Sequence, residues 1–531
     1  MKQNKAKQFF QKALGMLLLL ISNSFLFGLS AGDVNGDSVV NVVDALMVAQ
    51  VYVGQNPSPY YPEAADVDCS GRVDIVDALQ IVRYYIGIID SLCLNSTATP
   101  METIIPTPTA TPRPLTSLAP RLDNPFEGAK MYVDPVWSEK AMSSGGEAIA
   151  LESTAINLDR IGAITDGIGL RGHLDNAIAQ NADLITLVLN DIPYKNCASG
   201  YLYDYSYPPE NKMNYYKNDF IDPIVAILDD PRYKDLRVVC IIEPNSLSNL
   251  ITNLFTSDCA AANGPGGIAE GIQYALNELN TLGNTYCYVS IESSSWMGWP
   301  DNLKNAIQIY GNTIKGSTNG VNSISGFISN FGYYTPVEEP FLPDPQLEVG
   351  GKRLVVSGFY EWNPYFDELD YAQDFRQAMI DIGFPESIGM LIDTSRNGWG
   401  GPDRPTAVST STDLDTYVDE SRIDRRYHRG NWCNQPGGIG YRPQANPHPG
   451  IDAYVWGLAP GISDGVSDAN FEPDPDDPSR YFDPNCDPNG ISRYDNGVPT
   501  GAIDAPHQGR WNQKHFEILL KNAYPPLESR E

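Results

Sequence analysis

The sequence predicts an α/β domain of the βα-barrel type, preceded by a small all-α module of two loop–helix repeats. Three observations predict it. An acidic motif beginning at Asp33 recurs at Asp66, and each copy runs into an apolar helical segment. A Thr/Pro-rich stretch follows. Beyond it, short apolar runs that end in polar residues alternate with helical stretches, as repeated strand–loop–helix units do. At 531 residues the chain is too long for one ordinary domain.

The first element, residues 1–31, reads as a secretory signal peptide. Lys2, Lys5, Lys7 and Lys12 form its basic region, Met16 to Phe27 its apolar stretch, and Gly28-Leu29-Ser30-Ala31 a small-residue cleavage site. An uncleaved membrane anchor is the competing reading, but the apolar run is shorter than the ~20 residues a span needs. No later stretch suits a bilayer, so no membrane partner is expected.

The second element, residues 32–92, holds the duplication. An EF-hand loop places oxygen ligands at positions 1, 3, 5, 7, 9 and 12. In the first copy these are Asp33, Asn35, Asp37, the Val39 carbonyl, Asn41 and Asp44. In the second they are Asp66, Asp68, Ser70, the Arg72 carbonyl, Asp74 and Asp77. A chance acidic surface run is the bland alternative, and two matching loops at fixed spacing argue against it. The expectation is two calcium sites, followed by helices at Ala45–Val53 and Ala78–Ile86. The third element, residues 93–122, is the linker. Pro100, Pro106, Pro108, Pro112, Pro114 and Pro120 interrupt regular structure, and the stretch has little to bury.

The fourth element, residues 123–531, carries the strands. Apolar runs at Leu184–Leu189, Val238–Ile242, Tyr286–Val289, Ile388–Ile392 and Tyr454–Trp456 each end in polar residues or a glycine loop. A βα barrel has its site at such strand ends. A doubly wound open sheet is the competitor, and periodicity barely separates the two.

Composition bounds the partners. A net charge of −30 argues against nucleic acid and anionic membrane. Aromatics make up 10% of the chain, with 30 Tyr. Such rings offer a flat apolar face and a polar tip, as sugar clefts require, although a Tyr-rich core would read the same way. Export makes disulfides possible for the eight cysteines.

The tandem loops resemble a type I dockerin. That resemblance implies calcium-dependent folding and docking onto a cohesin of a cellulosome scaffoldin. Two departures concern Ser38, where a loop usually has Gly, and the pairs Val42-Val43 and Ile75-Val76, often Ser/Thr in dockerins. Cys69 and Cys93 are placed to staple the second loop to the end of the module.

The large domain resembles glycoside hydrolase family 6, with features of the bacterial cellobiohydrolase subgroup. The segments that carry this include Asn124-Pro-Phe-Glu-Gly128, Ile241-Ile-Glu-Pro-Asn-Ser-Leu247, Trp296-Met-Gly-Trp-Pro300, Ile392-Asp-Thr-Ser-Arg-Asn-Gly-Trp399, Asn431-Trp-Cys-Asn434 and Ser463-Asp-Gly465. The resemblance implies a distorted βα barrel, inverting hydrolysis of β-1,4-glucan, cellulose or cello-oligosaccharides as ligand, and no cofactor in this domain. It also implies disulfides Cys197–Cys259 and Cys433–Cys486, while Cys240 and Cys287 are read as buried thiols.

Inverting hydrolysis needs one carboxylic acid to protonate the leaving oxygen and one carboxylate to activate water. The family's acid falls on Asn245, in Glu243-Pro244-Asn245-Ser246-Leu247, and an amide has no proton to give. The Asp that supports the acid falls on Asn196. Other family positions fall on Asn190, Ser290, Ser293, Leu458 and Ile462. The base position keeps Asp464, with Arg396 as its partner. The sugar platforms stay aromatic at Tyr132, Trp296, Trp299 and Trp432. The sequence thus implies either a pseudoenzyme that keeps the groove, or an enzyme in which Glu292, Asp191 or Glu243 substitutes for the acid.

Overall fold

The computed structural model describes residues 30–37, 39–52, 55, 57–68, 73, 75–85, 89, 91–93, 121–198, 211–474, 480–495 and 497–527. Most of the segments expected as signal peptide (1–31) and linker (93–122), namely 1–29 and 94–120, lie outside the described residues, as do Cys69, Ser70, Arg72 and Asp74. The chain divides into two compact units, Met1–Pro112 and Arg113–Glu531. No helix among the described residues is long and apolar enough to cross a membrane.

In the first unit, α1 (Val42–Tyr52) and α2 (Ile75–Tyr85) pack on each other. Their shared core includes Val34, Val48, Val67 and Ile81. Each helix begins three residues before the apolar pattern suggests, because the last residue of each acidic loop is already helical. Asp44 and Asp77 are the third residues of their helices, and both are fully buried. Val42, Val43, Leu46 and Leu79 remain exposed.

The second unit is built on one eight-stranded sheet. Its strands are β1 (Ile156–Leu158), β2 (Leu184–Leu189), β3 (Arg237–Ile242), β4 (Thr285–Ser290), β5 (Gly326–Ser329), β6 (Gly389–Asp393), β7 (Gln444–His448) and β8 (Ile451–Val455). The spatial order is β1-β2-β3-β4-β5-β6-β8-β7. The run from β1 to β6 and on to β8 is parallel, and β7 adds antiparallel at the edge. An order that never reverses has no switch point, which excludes the doubly wound alternative. The sheet is a curled half-barrel: β1 and β7 are its edges and do not pair with each other.

Both faces of the sheet are buried, and this follows from the period of two along each strand. Leu187 and Leu189 of β2, with Val238, Cys240 and Ile242 of β3, face the outer helices. Leu184 and Val188, with Val239 and Ile241, fill the inside of the curl. The outer layer includes α3 (Gly169–Ala179), α4 (Ile268–Leu279), α5 (Pro300–Lys315) and α6 (Glu368–Asp381). In α4 the buried set Ile268, Ile272, Ala275 and Leu279 recurs at helical spacing. Cys240 and Cys287 face each other in register on β3 and β4 and are free, buried thiols. Cys197 is bonded to Cys259, and Cys433 to Cys486. Cys93 is disulfide-bonded as well.

Candidate active site

The ends of three adjacent parallel strands build the site. β3 runs into Glu243-Pro244-Asn245, β4 into Glu292 and β5 into Asn330. All four polar residues adopt left-handed backbone, with φ of 43° at Glu243, 62° at Asn245, 63° at Glu292 and 61° at Asn330. Such conformations cost non-glycine residues about 1–3 kcal/mol each and persist only where surrounding bonds fix them. Here they do. Glu243 accepts from the Asp191 and Ile192 N–H groups at 3.3 and 3.0 Å and from the Tyr216 hydroxyl at 2.9 Å. Glu292 Oε1 accepts the Asn245 N–H at 2.9 Å. The Asn330 amide donates to the carbonyls of Thr335 and Asp393.

Above these strand ends lies a cavity of about 560 Å³. Trp296, Trp299 and Trp432 line it, as do Asn196, Asn245 and Asp464. The Trp296 indole N–H is held by Thr252 Oγ1 at 3.1 Å and that of Trp299 by the Glu361 carbonyl at 2.9 Å. Trp432 hydrogen-bonds to Tyr494. Tyr132 does not join them. Its ring is 1% exposed in the core and its hydroxyl meets His173 Nδ1 at 3.0 Å. In this structure the Tyr132 ring packs inward and does not line the cavity.

Asp464 is the carboxylate best placed for chemistry. Arg396 Nη1 donates to both its oxygens, at 2.8 and 2.9 Å. The Tyr334 hydroxyl and the Asn434 N–H add bonds to Oδ2 at 3.1 and 2.7 Å. Arg396 is 1% exposed and its guanidinium lies 4.5 Å from the Tyr334 ring centroid. Asn245 lines the same cavity with a side-chain amide. The Tyr333 hydroxyl donates to its Oδ1 at 3.1 Å, leaving the amide nitrogen as the free end.

The three carboxyls that the enzyme reading offers as candidate substitutes do not line the cavity. Glu292 and Asp191 are 0% exposed and Glu243 is 2% exposed. Each is committed elsewhere: Asp191 to Lys195 Nζ at 3.0 Å, and the two glutamates to the backbone bonds above. Burial pushes both glutamates up to about 8. Leu458 and Ile462 are also absent from the cavity wall, and Ser290 and Ser293 are buried.

A pH prediction follows from Glu292. Its unfolded value is 4.5 and its folded value about 8, so the folded protein holds a proton here that the unfolded chain releases first. The stability this gives is complete below the lower value and is lost as pH rises through the higher one. Glu292→Gln keeps the shape and the acceptor while removing the titration. The fall of Tm with pH across that window should become shallower, as thermal scans would read. A fall as steep as wild type would contradict the shift.

Sequence reasoning missed one pair on the wall. His428 Nδ1 accepts from the Gly430 N–H at 3.0 Å, so Nε2 carries the proton toward Glu361 Oε2, 3.3 Å away. Burial lowers the His428 pKa, keeping the ring neutral. Glu361 and His428 are 67 residues apart, and nothing in the sequence announces that they meet.

In the first unit, the acidic loops fold around their own carboxylates. Asp33 Oδ1 accepts from Gly36 and Asp37 N–H at 2.9 and 3.1 Å, Asp44 Oδ1 from Val34 and Asn35, and Asp44 Oδ2 from Asn41. Asn41 Nδ2 donates to the Val39 carbonyl. In the second loop, Asp66, Asp68 and Asp77 bring carboxylate oxygens within 4.8 Å of one another. Converging oxygens, two or more of them charged, fit a hard divalent cation such as calcium.

Comparison with known proteins follows the same division. A family model for glycosyl hydrolases family 6 matches residues 127–523, and one for the type I dockerin domain matches residues 31–85. Exoglucanase A of Cellulomonas fimi is 40% identical over 447 residues, covering 78% of this chain and 51% of that protein. The chain thus spans about half the length of that relative. Exoglucanase 3 of Agaricus bisporus is 28% identical, covering 76% of this chain and 80% of its own length. The catalytic domain of Cellulomonas fimi Cel6B superposes with a TM-score of 0.73 at 39% identity, covering 78% of this chain and 98% of that domain.

Proposed function

Because the chain belongs to glycosyl hydrolase family 6 and carries a type I dockerin domain, we propose that it is a secreted, cellulosome-associated protein that binds β-1,4-glucan in its cavity and hydrolyses it poorly or not at all. One observation carries this reading. The acid position is an amide, and the buried carboxyls of Glu243, Glu292 and Asp191 behind it do not line the cavity. The three cavity tryptophans need no acid. Flat rings bind the faces of glucose units by burial alone.

Asp464 holds the water-activating position, with Arg396 fixing its geometry. Four donor contacts, from Arg396, Tyr334 and Asn434, hold its oxygens in place. The test is calorimetry with cellotetraose. Wild type should bind, and Trp299→Ala should weaken binding about tenfold or more, since one stacked ring is worth on the order of 1.4 kcal/mol. No binding by wild type would defeat the reading.

The dockerin module supplies the address. A cohesin is its partner class, and the exposed Val42, Val43, Leu46 and Leu79 are apolar side chains such a partner would cover. The two loops would each hold one calcium: Asp33, Asn35, Asp37, Asn41 and Asp44 in the first, Asp66, Asp68 and Asp77 with Ser70 and Asp74 in the second. Bound calcium neutralises carboxylates that otherwise repel, so metal and folding are linked. Chelation of the full chain should reduce its helical circular dichroism, and added calcium should restore it. Identical spectra in chelator and calcium would sink this assignment.

A further inference from the structure

The two segments that meet at Glu361 and His428 each carry a large aromatic residue beside the junction. Trp362 follows Glu361 and is 61% exposed, and Tyr427 precedes His428 and is 64% exposed. Neither lines the cavity. A singly exposed aromatic is ordinary, and Phe255 is one such. Trp362, with Tyr427 across the junction, differs from it in three respects.

They flank one contact, since Glu361 Oε2 and His428 Nε2 are 3.3 Å apart. The backbone is left-handed at two consecutive non-glycine residues, with φ of 48° at Glu361 and 70° at Trp362. Glycine would adopt this turn without strain, yet the largest side chain stands there. The turn is fastened by Glu361 N–H to Ser357 O at 2.9 Å and Trp362 N–H to Val355 O at 2.7 Å. Lastly, the carbonyl of Glu361 holds the indole of Trp299, so one turn sets a cavity platform and an outward ring together. The Arg353 guanidinium lies 5.8 Å from the Trp362 ring centroid and backs one face of it.

We propose that Trp362 and Tyr427 form an outer stacking surface beside the cavity, which takes glucan chains at the face of solid cellulose. The proposal rests on the glucan-binding reading above. Two uncharged flat rings on a chain of net charge −30 suit a neutral polysaccharide and not a polyanion. A strained turn that keeps a Trp outward is explained if the ring is used there and unexplained if it only packs.

The test uses the full chain with calcium and two probes, microcrystalline cellulose and cellotetraose. Trp362→Ala and Tyr427→Ala should each lower the partition onto cellulose about threefold and the double variant about tenfold. Cellotetraose affinity should stay within about twofold of wild type. Trp362→Gly should lose the same cellulose binding while melting no lower than wild type, because glycine suits that turn. Isotherms on cellulose that coincide with wild type would overturn the proposal. So would an equal loss of cellotetraose binding, or a fall in Tm for Trp362→Gly, which would assign the ring to packing. Trp299→Ala run alongside reports separately on the cavity: if it leaves cellotetraose binding intact, the cavity reading fails while the cellulose isotherms still decide the outer surface.

Discussion

Purified protein should release soluble sugar from amorphous cellulose about 10²–10⁴ times more slowly than a family member with a carboxyl at the acid position. The departing glucose oxygen leaves as an alkoxide unless protonated, and Asn245 cannot protonate it. Asn245→Asp should recover little, less than about tenfold. The structure gives the reason. Tyr333 would donate its hydroxyl to the new carboxylate at the 3.1 Å contact it now makes with the amide. A donor on a carboxylate favours the ionised form and lowers the pKa, the reverse of what an acid needs. Asn196 supplies no neighbouring charge to raise it again. Product release would be measured for wild type, Asn245→Asp and Asp464→Ala. Brisk release by wild type, abolished in Asp464→Ala, would mean a working enzyme with another acid.

Arg396→Met should destabilise the large unit by about 3–5 kcal/mol, the cost of leaving a buried carboxylate without its partner. Asp464 sits with 7% of its side chain exposed and Arg396 with 1%, so little solvent is at hand to replace the lost guanidinium. Arg396 also bonds the Gly332 carbonyl and lies against Tyr334. For a unit of this size the expected fall in Tm is roughly 4–6 °C. The double variant Arg396→Met/Asp464→Leu should regain much of the loss, since removing both charges is often near neutral. Equal losses in single and double variants would mean that the guanidinium matters through its other contacts.

Much of this was legible in the sequence because the physics was local. The acidic loops repeat, and their ligand spacing is a property of twelve consecutive residues. The strands β2, β3 and β4 are buried on both faces and so read as continuous apolar runs. Three strands were not legible: β1 is only three residues long. β5 is four residues with Gly326 at its start, and β7 is a half-exposed edge containing Pro447. The platform residues Trp296, Trp299 and Trp432 do share one cavity, but Tyr132 belongs to the core, because sequence shows that a ring is present and not which way it turns. Glu292 illustrates the same limit: a glutamate after a strand reads as an accessible acid, and only its bond to the Asn245 N–H reveals a buried prop.

The Cys433–Cys486 bond has a consequence for where the protein is made. Cys433 follows Trp432, and Cys486 itself touches the cavity, so one covalent link fastens two walls that come from distant parts of the chain. A cytosol rich in glutathione withholds that link, and with it the fixed position of Trp432. Heterologous production in such a compartment would therefore yield folded α/β domain with a slack sugar site. The set of the cavity wall therefore depends on the thiol chemistry of the surrounding compartment as much as on the fold.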